Sequence, residues 1–129
     1  MDVSPEYIKM CENAEEMQKQ SPDYRDCGHD IYFVCSKCHI LAKEDDGSYW
    51  SPCDCGKSKI WLPRLDELWN MLLPKEYNVL LVLESVWGHI RLEEKYYSNF
   101  GASLEQLLLA YIVKSFEKKI WNGEDWIAL

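Results

Sequence analysis

The sequence predicts an α+β fold: a small antiparallel sheet covered by helices, carrying a zinc-ribbon-like four-cysteine hairpin module. Three observations predict it. Cysteines occur as two close pairs, Cys35/Cys38 and Cys53/Cys55, with the β-branched and aromatic run Ile31–Val34 leading into the first. Residues 4–20, 63–73 and 103–119 carry apolar side chains at helical spacing, and 77–84 and 90–96 read as strands. Helices and strands segregated in this way suit a small sheet with helices on one face. At 129 residues the chain reads as a single domain, 1–129, in three stretches. These are an N-terminal helix and acidic connection (1–30), a zinc-binding hairpin (31–59) and a helix-strand-strand-helix core (60–129).

The first helix, 4–20, has Ser4 as N-cap, Pro5 at its first position and Glu6 in its first turn, where the helix dipole favours an anion. Tyr7, Ile8, Cys11, Ala14 and Met17 form its apolar stripe, which makes Cys11 a core thiol. Glu12, Glu15 and Glu16 fall largely outside that stripe. Ser21-Pro22-Asp23 ends the helix. Residues 1–30 hold eight acidic side chains against three basic ones, so negative charge is concentrated ahead of the cysteines.

The cysteine module follows. Cys-Ser-Lys-Cys at 35–38 and Pro-Cys-Asp-Cys-Gly at 52–56 are two tight turns roughly fifteen residues apart, a spacing that lets both pairs converge on one tetrahedral ion. The expected ligands are Cys35, Cys38, Cys53 and Cys55, and the expected ion is a structural Zn2+. The second pair is Cys-x-Cys, one residue shorter than a regular ribbon knuckle. Cys27, His29 and His39 therefore stand open as replacements for one of the four. Glu44-Asp45-Asp46-Gly47 reads as the hairpin turn, with Tyr49-Trp50 on the returning strand.

Further on, Pro63 opens a helix to about Leu73 that turns Leu65, Leu68, Met71 and Leu72 inward and has Arg64, Asp66 and Glu67 in its first turn. Tyr77–Glu84 and Ile90–Tyr96 read as an antiparallel hairpin turning at Ser85–Gly88. Ser103-Leu104-Glu105-Gln106 is a capping box, opening a helix to about Lys119 that buries Leu104, Leu107, Leu108, Tyr111, Ile112, Phe116 and Ile120. Asn122-Gly123 supplies a tight turn that brings Trp121 and Trp126 together.

Fourteen basic residues against twenty-two acidic ones give a net charge of −8, which repels nucleic acid at long range and favours a basic partner. No apolar run approaches the roughly 20 residues that span a bilayer. The opening Met-Asp-Val-Ser-Pro-Glu has neither a basic nor an apolar signal region, so the cysteines are expected reduced, in the cytoplasm. Gly56-Lys57-Ser58 lacks the upstream glycine and the strand-loop-helix setting of a phosphate loop.

Four blocks together carry a resemblance: 6–18 (Glu-Tyr-Ile-Lys-Met-Cys-Glu-Asn-Ala-Glu-Glu-Met-Gln), 60–68 (Ile-Trp-Leu-Pro-Arg-Leu-Asp-Glu-Leu), 103–110 (Ser-Leu-Glu-Gln-Leu-Leu-Leu-Ala) and 121–126 (Trp-Asn-Gly-Glu-Asp-Trp). In this order they resemble a family of small proteins of phages and prophages of Gram-positive bacteria, in which the cysteine module looks like an insertion that many members lack. Some small acidic phage proteins of this kind are anti-CRISPR inhibitors. The resemblance thus implies a non-enzymatic protein in the bacterial host's cytoplasm. It would bind a type II CRISPR effector nuclease with its guide RNA and block target DNA binding, touching neither nucleic acid nor membrane. Glu12, Glu15, Glu16, Asp45 and Asp46 are the expected contacts, placed where phosphates would otherwise lie against arginine and lysine. A zinc-ribbon nucleic-acid-binding or transcription-regulating module is the alternative. Against it, Lys37, Lys43, Lys57 and Lys59 are balanced by Glu44, Asp45, Asp46 and Asp54. An enzyme would need His29, His39 or His89 beside a carboxylate, and four cysteine ligands leave no open metal position.

Overall fold

A computed structural model describes residues 2–22, 30–44, 53, 55, 59–73, 79–92 and 103–129. The sequence reads as one domain, whereas the described residues cluster into two compact units, Val3–Pro63 and Asp2 with Arg64–Leu129. The class is α+β, with a small three-stranded antiparallel sheet, helices and a close cluster of four cysteines.

In the first unit, α1 (Pro5–Asn13) starts where expected, with the Ser4 hydroxyl accepting the Tyr7 N–H at 3.2 Å. The single helix expected over 4–20 is interrupted. Ala14 leaves the helical region at φ −88°, ψ 73°, and the chain resumes as the short α2 (Glu15–Gln18). The break frees the Cys11 carbonyl, which accepts from the Ala14 N–H at 3.2 Å and from the Gln18 side-chain amide at 3.0 Å. The expected stripe of Tyr7, Ile8, Cys11, Ala14 and Met17 is buried, joined by Met10.

The sheet consists of β1 (Ile31–Cys35), β2 (Leu41–Glu44) and β3 (Lys59–Leu62) in the order β2-β1-β3, all antiparallel. Val34 lies opposite Leu41 on one side and Ile60 on the other, so β1 is the central strand. The hairpin of β1 and β2 does not turn where the sequence suggested, because Glu44 is the last residue of β2. Its turn is the cysteine turn itself, 36–40, and β2 begins at Leu41. The expected turn residues Asp45, Asp46 and Gly47, and Tyr49-Trp50 after them, lie outside the described residues. Helix α1 packs on β3, and the Tyr7 hydroxyl donates to the Pro63 carbonyl at 2.6 Å in the interior.

The second unit holds α3 (Leu65–Leu72), α4 (Val79–Leu92), α5 (Leu104–Glu117) and a hairpin of β4 (Lys119–Trp121) and β5 (Trp126–Ala128). The strand pair expected at 77–84 and 90–96 is corrected over 79–92 by α4, which runs unbroken through the supposed turn at Ser85–Gly88, while 77–78 and 93–96 lie outside the described residues. Its apolar residues fit either period over a short run. What decides is that Val82, Val86 and Ile90 turn inward while Glu84, midway between the first two, is exposed: a strand would put all four on one face, and only a helix separates them. Val86 is buried and Val82 and Ile90 are half-buried.

Helix α5 therefore packs on α3 and α4, not on a sheet. Its buried face is Gln106, Leu108, Leu109, Ala110, Ile112 and Val113, and the expected core residues Leu104 and Phe116 are exposed instead. Gln106 does not close a capping box on its own helix start. Its amide donates to the Asp2 carboxylate at 2.9 Å, and the Ser103 hydroxyl donates to the same carboxylate oxygen. In α3, Glu67 is buried and accepts the Arg64 backbone N–H at 3.0 Å. The terminal hairpin pairs Trp121 with Trp126, ring centroids 5.1 Å apart, and Gly123 takes φ 99° in its turn.

Candidate metal centre

β1 delivers the first sulfur. Cys35 closes the strand, buried, and the chain turns at once: the His39 N–H donates to the Cys35 carbonyl at 3.0 Å and the Cys35 N–H to the Ile40 carbonyl at 3.2 Å. A reversal this tight needs one residue in the left-handed region, and His39 takes it at φ 57°. Within the turn the Lys37 N–H points at the Cys35 sulfur, 3.4 Å away. An amide aimed at a sulfur stabilises it as thiolate, as a metal knuckle requires.

The second pair arrives by register. Cys35 lies opposite Lys59, the first residue of β3, so Cys53 and Cys55, shortly before Lys59 in the chain, come to the same end of the sheet. The sulfurs of Cys35, Cys38, Cys53 and Cys55 all lie within 4.8 Å of one another. A tetrahedral metal–sulfur shell with bonds of about 2.3 Å has sulfurs about 3.8 Å apart, so small rotations would seat an ion among these four. None of them is in a disulfide. Cys38 is exposed and Cys53 and Cys55 are half-buried, so the cluster sits at the surface with Cys35 as its inner member.

Electrostatics divide the four sulfurs. The amides of Cys38 and Lys37 draw the Cys35 thiol down to about 6, against a desolvation that alone would raise it. Cys55 is pushed up to about 12, chiefly because it donates to Cys53 and then Cys38, with burial adding to this. For Cys53 the Cys55 amide is the largest influence and pulls it down, but donation to Cys35, burial and donation to Cys38 together leave it raised. Without metal, then, one thiolate at Cys35 is held by its turn and by neighbouring thiols. A divalent cation would replace the protons that Cys53 and Cys55 keep.

The other expected site residues fall elsewhere. Glu12, Glu15 and Glu16 are exposed on α1 and α2, and Glu16 pairs with Lys19 at 2.8 Å. Asp45 and Asp46 lie outside the described residues, as do Cys27 and His29. His39 is not among the clustered donors; its part is conformational. Cys11 is buried on α1, away from the cluster. Of the four lysines near the module, Lys43 lies 3.6 Å from Asp30, Lys59 sits over the Phe33 ring at 5.3 Å, Lys37 is exposed, and Lys57 is outside the described residues.

The amide of Lys37 aimed at the Cys35 sulfur is what tight cysteine turns are expected to provide. The left-handed His39 directly after the second cysteine is not evident from the residues, although so short a turn must aim its amides inward and then reverse. No protein-family model, no curated protein and no solved structure matches the chain. Among the described residues no helix is long and apolar enough to cross a membrane.

Proposed function

We propose that the chain is a non-catalytic binding protein stapled by one structural zinc ion on Cys35, Cys38, Cys53 and Cys55. The observation that carries this reading is the convergence of four sulfurs within 4.8 Å at one end of the sheet. An all-sulfur tetrahedral donor set suits zinc or iron, and zinc is the ion that does no redox work in such a site. Four thiolates fill its coordination shell and leave no position for water or substrate, so the ion holds structure and performs no hydrolysis.

The partner in this reading is a type II CRISPR effector nuclease loaded with guide RNA, in the cytoplasm of the bacterial host. Its support is the sequence resemblance to small phage proteins, the net charge of −8 and the exposed carboxylates of Glu12, Glu15 and Glu16. Such effectors grip nucleic acid with arginine and lysine, and an acidic domain steered onto that surface would exclude target DNA. The nucleic-acid-binding alternative needs a free basic patch beside the cysteines. Lys43 is instead opposite Asp30, and Lys59 is drawn onto Phe33.

Two measurements test the reading. Elemental analysis should find one zinc per chain, and iron in its place would overturn the metal assignment. Added to the effector–guide complex before target DNA, the protein should inhibit cleavage, and less so when added after. Full cleavage at large molar excess would remove the nuclease as partner, and a mobility shift with free DNA or RNA would favour the alternative.

A further inference from the structure

Helix α4 presents a face that the described residues of its unit leave exposed. Val86 points inward, while Leu80, Glu84, Trp87 and Arg91 follow one another at the four-three-four spacing of a helix-pairing seam. Leu80 is 66% exposed and Trp87 65%. An exposed indole at the middle of this line, between the charged Glu84 and Arg91, is a large apolar surface of the kind that marks contact with another molecule.

Glu84, Trp87, Gly88 and Arg91 together line a shallow cavity of about 340 Å³. Their spacing, i, i+3, i+4 and i+7, is that of the four-residue hole into which a facing helix inserts a side chain. Gly88 makes this hollow. Nothing within 4 Å would obstruct a Cβ there, so the chain's own packing does not call for glycine. In a helix interior glycine is less favourable than any residue except proline.

We infer that this face is the interface of a homodimer in which two α4 helices pair antiparallel about a two-fold axis between Trp87 and Gly88. Charge selects the second copy as occupant and fixes its direction. Antiparallel pairing sets Glu84 opposite Arg91 of the partner subunit and Arg91 opposite Glu84 of the partner subunit, two complementary pairs from one sequence. The same register lays the Trp87 indole over Gly88 of the partner subunit. Parallel pairing would set glutamate on glutamate and indole on indole. Beside the seam, exposed Leu83 and Leu104 border an apolar groove of about 470 Å³ between α3, α4 and α5, which extends the buried area.

Sedimentation equilibrium of the full chain over about two decades of concentration tests the proposal by mass action. The unmodified protein should reach the dimer mass. Trp87→Ala, Glu84→Arg and Arg91→Glu should each weaken association by about tenfold or more, with helical circular dichroism unchanged. Glu84→Arg combined with Arg91→Glu should restore it, because the pairs then form with signs exchanged. A monomer throughout the range overturns the proposal, as does a dimer indifferent to Trp87→Ala, or a double reversal that associates no better than the single ones.

Discussion

The side chain of Gln18 takes the place of a neighbouring strand beside Trp61. Its Oε1 accepts the Trp61 backbone N–H at 2.7 Å, and its Nε2 donates to the Trp61 carbonyl at 2.9 Å. Since β3 is an edge of the sheet, Trp61 has outward backbone groups that β1 does not satisfy. The carboxamide presents an N–H and a carbonyl oxygen side by side, as a peptide group does, so it covers both, while its second N–H goes to the Cys11 carbonyl freed by the break at Ala14.

Replacing this amide should therefore be costly. Gln18→Leu leaves two backbone groups of Trp61 without protein partners and is expected to lower stability by about 2 kcal/mol. Gln18→Glu retains only the acceptor and faces a carboxylate with a carbonyl, so it should lose at least as much near neutral pH. Urea denaturation of the three proteins checks both. A loss below about 0.5 kcal/mol for Gln18→Leu would place water at that edge instead.

Metal content should follow the four clustered sulfurs and ignore the fifth described cysteine. Cys35→Ser and Cys53→Ser are expected to reduce zinc to well under one ion per chain, whereas Cys11→Ala should retain it. Chelation should speed amide exchange in β1, β2 and β3, since the four clustered cysteines meet at one end of that sheet. Unchanged exchange after chelation would separate the ion from the fold.

The metal-free protein should have a pH optimum set by its thiols. Cys35 lies below its ordinary value of 9.0, at about 6, so its contribution is full above 9 and is lost as pH falls through 6. Cys55 lies above it, at about 12, so its contribution is full below 9 and is lost as pH rises towards 12. Stability should thus rise from pH 6 to 9 and decline beyond, as read by thermal melts in chelator. Thiolate absorbance should show Cys35 ionising near pH 6, and zinc uptake at pH 7 should release protons from Cys53 and Cys55.

Ser103 does two things at the start of α5. Its oxygen accepts the Gln106 N–H at 3.2 Å, and its hydroxyl donates to Asp2. Ser103→Ala should cost about 1 kcal/mol, as for other helix caps. Asp2→Ala should cost less, because the cap itself survives. Equal losses for the two variants would show that the carboxylate, and not the cap, carries the effect.

At the other end of α5, Lys118 stands at φ 56°, ψ 43°, its N–H donating to the Lys114 carbonyl at 3.1 Å. Lys118→Gly fits this left-handed position without strain and is expected to match or exceed the parent in melting temperature. Lys118→Val should fall by about 1 kcal/mol or more, since a β-branched residue resists that conformation.

What could be read from the residues was local. Ser4 and Ser103 as caps, Asn122-Gly123 as a turn and each cysteine pair as a unit depend on groups within a few positions of one another. The α+β class followed from the helical stripes and the β-branched run at 31–34, and it holds although α4 replaces the expected strand pair over 79–92. The helical stripe of α1 was legible for the same reason, down to the burial of Cys11.

Tertiary structure decided the rest. Leu-Ala-Lys-Glu at 41–44 has little strand character of its own and becomes β2 because the turn at 36–40 lays it against β1. The run 79–92 suits strand or helix by composition, and packing against α5 turns it into a helix. Gln18 and Trp61, 43 residues apart, meet only once Ala14 breaks the helix and β3 is in place. By itself the sequence determined which sulfurs were available to meet and where α1, α5 and the terminal turn begin, because caps and turns of that kind are satisfied by near neighbours. Which strands pair, which helical face is buried and what covers the sheet's edge depend on partners far along the chain, and no local pattern encodes those distances.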